Sequence, residues 1–531
     1  MSTQVSSKAN RPPSFLIVTA AVVAIAIALP LVYLVIRTAG VGTEQLWALL
    51  SRPQNISILI DSTLMAAAVT ACSTLIAVPL AFLTVRTDLP GRKFWLVIST
   101  LPLAVPSYVG SFALIGAFGP RGSLLQLLLE PLGVQELPSI YGWTGTILSI
   151  TLFTYPYLLL SIRAGLLGID PAMEEASRSL GYNHWSTFFR ITLPQLRPSL
   201  VAGGLLVALY ALSDFGTPSL MQFNSFTRAI FVQYRASFNR NSAAALSLML
   251  VALVLLILWL EYRMRTQAAY YTRGSAARRS PKLVKLGAWK WLALAFCGAI
   301  ALMGLVLPVG ISIFWLWRGL SSGYSLPDLV PIALNSIWAS GLGAIAAVFF
   351  ALPVAILSVR FPGQITTAIE RCSYIGFGLP GIVVALSLVF FGANYVPWLY
   401  QTIFMLGFAY LVLYLPQSVG TIRSSLLQVN PQLEESARSL GRTAWQTLQE
   451  ITLPLVRPGL VSGAVLVFLT ALKELPATML LAPIGFNTLA IQIWTATENV
   501  AFAEAAASSL ALLLVSFGST LLVLSRSQVK I

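Results

Sequence analysis

The sequence predicts an all-α polytopic membrane protein, with twelve transmembrane helices arranged as two homologous six-helix halves. Of its 531 residues, 57% are hydrophobic and only 10% are charged, an apolar share well above that of a soluble domain. Long uncharged intervals recur along the whole chain, and a polar stretch at Asp170 to Leu200 is repeated at Asn430 to Leu460. These observations predict a duplicated membrane protein whose polar loops leave the bilayer and return to it.

Uncharged intervals of sufficient length define the predicted spans, because a helix that crosses a bilayer needs about 20 apolar residues. The interval from Cys372 to Ile422 is long enough for two helices joined by a turn at Asn394 to Pro397. The other intervals each supply one helix, which gives twelve in total. They are Ser14 to Ile36, Ser62 to Val85, Phe94 to Pro120, Leu137 to Ile162, Pro198 to Ser213, Asn241 to Leu260, Trp291 to Trp317, Leu329 to Val359, Pro458 to Leu472 and Ala505 to Ser525.

The formal net charge of +15 is explained by where the basic residues fall. If the amino terminus is cytoplasmic, most Lys and Arg residues lie in the segments on that side, as the positive-inside rule requires. The charge therefore indicates a lipid bilayer as partner and calls for no nucleic acid. Both termini and both polar loops are predicted to be cytoplasmic.

The repeat divides the chain into a first half, residues 1–262, and a second half, residues 291–531, joined by a basic segment at 263–290. Each half is predicted to hold six helices, so both share one topology and are related by a pseudo-twofold axis along the membrane normal. The joining segment reads as a solvated cytoplasmic linker near lipid headgroups, with a regulatory role as the alternative. Residues matched between the halves include Arg86 with Arg360 and Glu174 with Glu434.

The polar loops at 165–197 and 424–457 share one spacing of residues, and this spacing carries a family resemblance. It resembles the cytoplasmic loop of the permease subunits of binding-protein-dependent ABC importers, whose pattern is E-A-A, three residues, G, nine residues, I-x-L-P. Serine replaces one alanine in each copy. The matching residues are Glu175, Ala176, Ser177, Gly181, Ile191, Leu193 and Pro194 in the first loop, and Glu435, Ser436, Ala437, Gly441, Ile451, Leu453 and Pro454 in the second.

The resemblance implies the type I importer permease fold and a location in the bacterial inner membrane. It also implies that the short helix before each glycine docks on one of two ATP-binding cassette subunits, which bind ATP and Mg²⁺. The chain itself contains no G-x-x-x-x-G-K-[ST] pattern, so we expect a transport subunit that binds no cofactor and is not itself an enzyme. The residues expected to couple to the ATPase are Glu174, Glu175, Ala176, Ser177, Leu180 and Gly181, with Glu434, Glu435, Ser436, Ala437, Leu440 and Gly441.

Two acids follow predicted spans that are short for a bilayer. The intervals ending at Ser213 and Leu472 would reach only roughly 24 Å across a hydrocarbon core about 30 Å thick. Asp214 and Glu474 would then lie inside the outer membrane boundary, where a charge is costly unless it faces a path or a partner. In the alternative interpretation, Asp214 caps a helix and Glu474 pairs with Lys473.

The residues around these acids resemble a narrower family, the fused permeases of ferric iron importers that work with a periplasmic ferric-iron-binding protein. The stretches are SDFGTPSL from Ser213 and KELPATMLLAPIGFNTLAIQIW from Lys473. Ferric ion prefers oxygen ligands, so transient contacts at Asp214 and Glu474 are predicted, without a permanent metal site. Asp61, Tyr210 and Glu498 are further candidates for the path.

Other substrates and another energy source stay open at this point. Fused permeases for thiamine and phosphonates share the architecture, and a polyamine would also suit a path beside two acids. A secondary transporter driven by an ion gradient is the alternative of a different class. It leaves the two docking loops without a purpose.

Overall fold

The computed structural model describes residues 12–40, 42–235, 240–266 and 283–526. Within these ranges the chain is built from helices, with one isolated parallel bridge between Thr87 and Val284. The long helices and the two loop helices are α1 (Ser14–Ala39), α2 (Pro53–Arg86), α3 (Ser107–Phe118), α4 (Trp143–Gly168), α5 (Pro171–Ser179), α6 (Arg197–Ser213), α7 (Arg240–Thr266), α8 (Trp289–Ser321), α9 (Leu329–Arg360), α10 (Gly381–Tyr395), α11 (Ile403–Leu426), α12 (Pro431–Ser439), α13 (Leu453–Leu472) and α14 (Phe502–Arg526).

Short helices connect these elements, and two of them are single π-helical turns of equal length in the two loops. The α-helical pieces are Thr43–Leu50, Arg92–Thr100, Leu124–Leu129, His184–Thr187, Leu193–Gln195, Gly216–Leu220, Phe226–Arg235, Gln364–Ser373, Ala444–Thr447, Pro476–Leu481 and Leu489–Glu498. The 3₁₀ pieces are Leu101–Ala104, Glu130–Leu132 and Ile375–Gly378, and the π turns are Phe188–Thr192, Leu448–Thr452 and, within α8, Leu302–Val306.

The all-α polytopic fold class is confirmed. In the described part of the chain nine helices are long and apolar enough to cross a membrane, or eleven if each of two bent pairs is one span. One pair, Arg92–Ala104 with α3, bends by 98° at Val105, which is extended because Pro106 follows it. The helix α10, of 15 residues, is the second-half counterpart of α3 and is too short to count alone. The total of twelve stays a prediction.

The structure divides into two compact units whose membership differs from that of the sequence repeats. One unit contains α1 together with α9 to α13, and the other contains α2 to α8 together with Ile493–Phe517. In the first unit Tyr33 of α1 packs edge-on against Phe391 of α10, with ring centroids 6.0 Å apart. In the second, Trp315 of α8 contacts Phe502 at 4.9 Å. The first helix of the first repeat, α1, thus belongs to the unit built mainly from the second repeat, and the first helix of the second repeat, α8, belongs to the unit built mainly from the first repeat. The repeat boundaries at 262 and 291 stay predictions.

The end of the joining segment is held against α2. Residues 267–282 lie outside the described residues, but the Val284 N–H donates to the Arg86 carbonyl at 2.8 Å, and the Asp88 N–H donates to the Val284 carbonyl at 3.2 Å. The Asp88 carboxylate also accepts from the Leu286 N–H at 2.9 Å. This part of the predicted linker is therefore a docked extended segment beside the first polar loop.

Candidate functional site

The two polar loops fold alike, beginning with a nine-residue helix in each copy, as the sequence predicts. The Asp170 carboxylate accepts from the Ala172 N–H at 3.0 Å, and the Asn430 side-chain oxygen accepts from the Gln432 N–H at 3.0 Å. A proline occupies the first helical position of both, where its missing N–H is not needed. Each loop helix therefore starts at a fixed point set by its own sequence.

Each loop helix also ends at a fixed point, because a glycine follows it in the left-handed conformation. Gly181 has φ +90° and Gly441 has φ +87°. Around Gly181 the bonds are those of a Schellman motif: Gly181 N–H to the Arg178 carbonyl at 3.0 Å, and Tyr182 N–H to the Ser177 carbonyl at 3.2 Å. Among the described residues no atom lies within 4 Å of a Cβ placed on either glycine, so conformation alone requires glycine here.

In the first half, the loop helix α5 is tied to the end of α2 by a buried ion pair. The Arg86 guanidinium lies 3.4 Å from the Glu174 carboxylate, and the Thr192 hydroxyl donates to the same carboxylate at 3.1 Å. Arg86 also donates to the Leu166 carbonyl at the end of α4, at 3.0 Å. One arginine thus joins α2, α4 and α5.

In the second half the same arrangement recurs. Arg360 at the end of α9 donates to Glu434 through Nη2 at 3.0 Å and through Nε at 3.3 Å, and the Thr452 hydroxyl donates to Glu434 at 3.0 Å. Arg360 also reaches the Val429 carbonyl at 3.3 Å. We call these two arrangements, Arg86–Glu174–Thr192 and Arg360–Glu434–Thr452, the Arg–Glu–Thr clusters.

These clusters refine the list of predicted coupling residues. Glu174 and Glu434 stay predicted coupling residues, and their carboxylates point into the protein, where each binds the arginine and threonine of its cluster. Sequence reasoning missed the two threonines and assigned no role to the two arginines. The signal was present, because Thr192 and Thr452 keep the same separation as Glu174 and Glu434.

The remaining predicted coupling residues divide between an inner and an outer face. Ser177 is buried and bonds the Thr187 hydroxyl at 3.0 Å, and Ala437 is buried at the corresponding place. The outer residues are exposed in both copies: Glu175, Ala176, Leu180 and Gly181 in the first, and Glu435, Ser436, Leu440 and Gly441 in the second. The buried Ser177 hydroxyl is hydrogen-bonded to Thr187, so serine in place of alanine at this position disturbs the packing of the loop little.

Large apolar side chains surround the exposed residues at matching places in the two loops. Leu180 and Leu440 are 78% and 85% exposed, and the matched tryptophans are also exposed. Exposed apolar side chains that recur together on a polar loop predict a binding surface. We call this surface the docking face. It consists of Met173, Leu180 and Trp185 in the first loop, and Leu433, Leu440 and Trp445 in the second.

The two candidate acids of the path are each held within their own unit. The Asp214 carboxylate accepts from the N–H of Gly216, the first residue of the short helix that follows, at 3.2 Å. The Glu474 carboxylate accepts from the Tyr414 hydroxyl at 2.6 Å and from the Ala477 N–H at 3.2 Å. Both acids therefore stand just before a short helix, and the capping interpretation for Asp214 stays a prediction.

The helix before Glu474 is longer than the sequence predicts. It was expected to start at Pro458, but α13 starts at Leu453 and continues through Arg457 and Pro458. A charged residue near a helix end can keep its head group at the membrane interface, so charge is a poor marker of where this helix begins. With 20 residues, α13 reaches about 30 Å, and the argument from a short span holds less well for Glu474 than for Asp214.

Of the other candidates for the path, Tyr210 lies one helical turn before Asp214, and its carbonyl accepts from the Asp214 N–H at 2.8 Å. Tyr210 donates to the Ser107 hydroxyl at 3.4 Å, Asp61 accepts from Ser57 of its own helix at 3.2 Å, and Glu498 is exposed at a helix end. In the described ranges no group of three or more His, Cys, Asp or Glu side chains could hold a metal ion. Transient cation contacts at Asp214 and Glu474 stay a prediction.

Comparison with known proteins matches the chain twice to one family, described as the binding-protein-dependent transport system inner membrane component. The matched residues are 73–265 and 339–527, and each range contains one loop helix. The chain is 35% identical over 512 residues to an Fe(3+)-transport system permease protein of Haemophilus influenzae, covering 96% of this chain and 97% of that protein.

Two further relatives differ in how much they cover. A ferric transport system permease protein of Actinobacillus pleuropneumoniae is 24% identical over 502 residues, covering 90% of this chain and 71% of that protein. The molybdenum transport system permease protein of Escherichia coli is 28% identical over 198 residues, covering 35% of this chain and 85% of that protein. That relative corresponds in length to a single repeat of the chain described here.

Proposed function

The chain belongs to the family of binding-protein-dependent transport system inner membrane components, and from this premise we propose that it moves ferric iron from a periplasmic binding protein to the cytoplasm. It is a permease subunit of an ABC importer. In this proposal two separate ATP-binding cassette subunits supply the energy and hold ATP and Mg²⁺. Both polar loops and both termini lie on the cytoplasmic side, where those subunits dock.

The duplicated docking face is the observation that carries the proposal. Two copies of one exposed apolar surface call for two copies of one partner, and each loop helix also carries an exposed carboxylate, at Glu175 or Glu435. The Arg–Glu–Thr clusters fasten the loop helices to α2 and α9, and the glycine turns fix where those helices end. A displacement imposed on a loop helix would therefore be passed to a long helix and would not be absorbed by the loop.

Iron as the substrate rests on the relatives whose names specify it and on the chemistry of the acids. Two relatives that cover most of this chain are named for ferric transport. Ferric ion is a hard cation that prefers oxygen, and Asp214 and Glu474 supply carboxylate oxygens in the stretches that resemble ferric permeases. Contacts that form and release suit a permease better than a closed metal site.

Uptake into proteoliposomes tests the proposal. Vesicles containing this chain and its ATPase should accumulate radioactive ferric iron only when ATP is inside and the iron-loaded binding protein is outside. Uptake that persists without the ATPase, and that collapses with an uncoupler, would establish a secondary transporter instead. Uptake of labelled thiamine, polyamine or phosphonate that ferric iron does not inhibit would keep the mechanism and replace the substrate.

A further inference from the structure

The end of the joining segment is bound to the residues that follow α2. The Val284 backbone forms a parallel bridge with Thr87, through its N–H to the Arg86 carbonyl at 2.8 Å and its carbonyl to the Asp88 N–H at 3.2 Å. The Asp88 carboxylate accepts a further bond from the Leu286 N–H at 2.9 Å. We call residues 284–286, which these bonds hold in place, the strap.

The strap presents one face to the protein and the other to solvent. Side chains alternate along an extended segment, and here Val284 and Leu286 are half-buried while Lys285 between them is exposed. Val284 forms part of the wall of a small cavity of about 20 Å³, large enough for one water molecule. The other residues of that wall are Phe82, Arg86, Glu174, Arg178, Thr187, Phe188 and Thr192. The strap therefore covers the first Arg–Glu–Thr cluster.

The first cluster has the weaker pairing of the two. Arg86 contacts Glu174 at 3.4 Å, and within the described ranges its Nε has no hydrogen-bond partner, whereas Arg360 donates twice to Glu434, at 3.0 Å and 3.3 Å. Arg86 is nevertheless the more buried arginine, 3% exposed against 12% for Arg360. Excluding water strengthens the attraction between opposite charges. Coverage by the strap thus compensates for the looser geometry of the first cluster.

The second repeat lacks the residues that receive the strap. In the first repeat Thr87, Asp88 and Leu89 stand between Arg86 and the next Pro-Gly pair, whereas in the second Phe361 alone stands between Arg360 and the Pro-Gly pair. A short helix begins directly after each pair, so the two segments are structurally equivalent. The longer segment of the first repeat supplies both the bridging residue, Thr87, and the carboxylate that binds Leu286.

We propose that the strap is an intramolecular brace that stabilises the first polar loop and has no counterpart on the second. Two loops that are alike in sequence then differ in how firmly they are held. A ligand, a modification or a cut that displaces the end of the joining segment would loosen α5 and leave α12 as it is. The strap remains bound while the loops move, because it is attached to α2, the same helix to which α5 is tied.

Hydrogen exchange of the full chain in detergent tests this inference without reference to transport. Asp88→Ala combined with Val284→Ala removes the bond to Leu286 and most of the side chain that covers the cavity. Amide exchange in α5 should rise by roughly fivefold or more, while exchange in α12 of the same molecule is unchanged. The matched control is Lys285→Ala, on the exposed side of the strap, which should change neither helix. An equal rise in both loop helices, or no rise in α5, would overturn the proposal.

A disulfide tests whether the strap stays bound during turnover. Thr87→Cys with Val284→Cys, in a chain whose Cys72, Cys297 and Cys372 are replaced by alanine, should cross-link on mild oxidation because bridge partners lie close enough for a disulfide. Thr87→Cys with Lys285→Cys is the control and should cross-link slowly, since the Lys285 side chain points away.

The cross-linked chain, assembled with its ATPase, should retain normal ATP-driven uptake. Uptake that is lost on oxidation and restored by a reductant would show that the strap leaves α2 in every cycle, and would overturn the proposal. The exchange experiment needs no transport. It therefore decides the role of the strap even if the wild-type complex takes up no iron, a result that would reject the proposed function alone.

Discussion

Removing the Glu434 carboxylate should destabilise the chain far more than removing an exposed carboxylate from the same loop. Arg360 and Glu434 are only 12% and 11% exposed, and Glu434 accepts two bonds from Arg360 and one from Thr452. Glu434→Ala leaves a buried guanidinium and a hydroxyl without their acceptor. Breaking one side of such a pair costs about 3 to 5 kcal/mol.

The matched control is Glu450→Ala, which breaks the exposed pair with Arg442. That pair has an N···O distance of 3.2 Å, but its side chains are 51% and 46% exposed, so we expect a loss of about 0 to 1 kcal/mol. Denaturant titration of each purified variant in detergent measures the change in its free energy of unfolding. The double variant Arg360→Met/Glu434→Leu should recover most of the loss, because no buried charge remains.

The same variants separate stability from coupling. Even where Arg360→Met/Glu434→Leu restores stability, apolar contact should hold α12 to α9 less rigidly than the two hydrogen bonds from Arg360 to Glu434 do, so ATP hydrolysis should continue with reduced uptake. If Glu434→Ala unfolds at the same denaturant concentration as Glu450→Ala, the buried pair does not stabilise the loop. The account of the Arg–Glu–Thr clusters would then be wrong.

Three further predictions concern the turn, the docking face and the acids. Gly181→Val places a β-branched residue at φ +90°, which should cost about 1 to 2 kcal/mol of stability and uncouple ATP hydrolysis from uptake. The control Gly168→Ala, at a glycine without positive φ, should do neither. If both variants couple hydrolysis to uptake equally well, the turn has no role in coupling. Leu440→Asp should weaken co-purification of the ATPase without changing the melting temperature, and unchanged recovery would exclude Leu440 from the docking face. Asp214→Asn with Glu474→Gln should reduce iron uptake while the ATPase stays bound, and unchanged uptake would leave both acids with only a structural role.

Local signals made the loop helices predictable from the sequence. Asp170 and Asn430 precede a proline, and a glycine stands two positions after the last residue of each nine-residue helix, so the local sequence specifies where the helix starts and ends. The chain repeats this pattern, which removes most of the ambiguity of a single copy. Interactions within about ten residues therefore account for what was foreseen.

Contacts between distant residues were not predictable in the same way. Arg86 and Glu174 belong to different helices, and the repeat shows each of them recurring without showing that they meet. Charge also drew attention to Asp214 and Glu474, but it gave no sign of their neutral partners, such as Tyr414, which donates to Glu474 from a different helix.

The exchange of α1 and α8 was also beyond the sequence. Both helices expose many apolar side chains, and a helix whose surface is mostly lipid-facing carries little information about its protein neighbours. Composition thus predicted that these helices exist. It could not predict which compact unit each one would join.

That exchange has a consequence for fragments of the polypeptide. A peptide ending inside 263–290 would bring α1 without α9 and α10, against which it packs, and the complementary peptide would bring α8 without α3. Neither product could complete a folded body by itself, so co-production of both pieces should rescue material that each alone loses to degradation. Encoding the two repeats as one polypeptide makes that stoichiometry automatic.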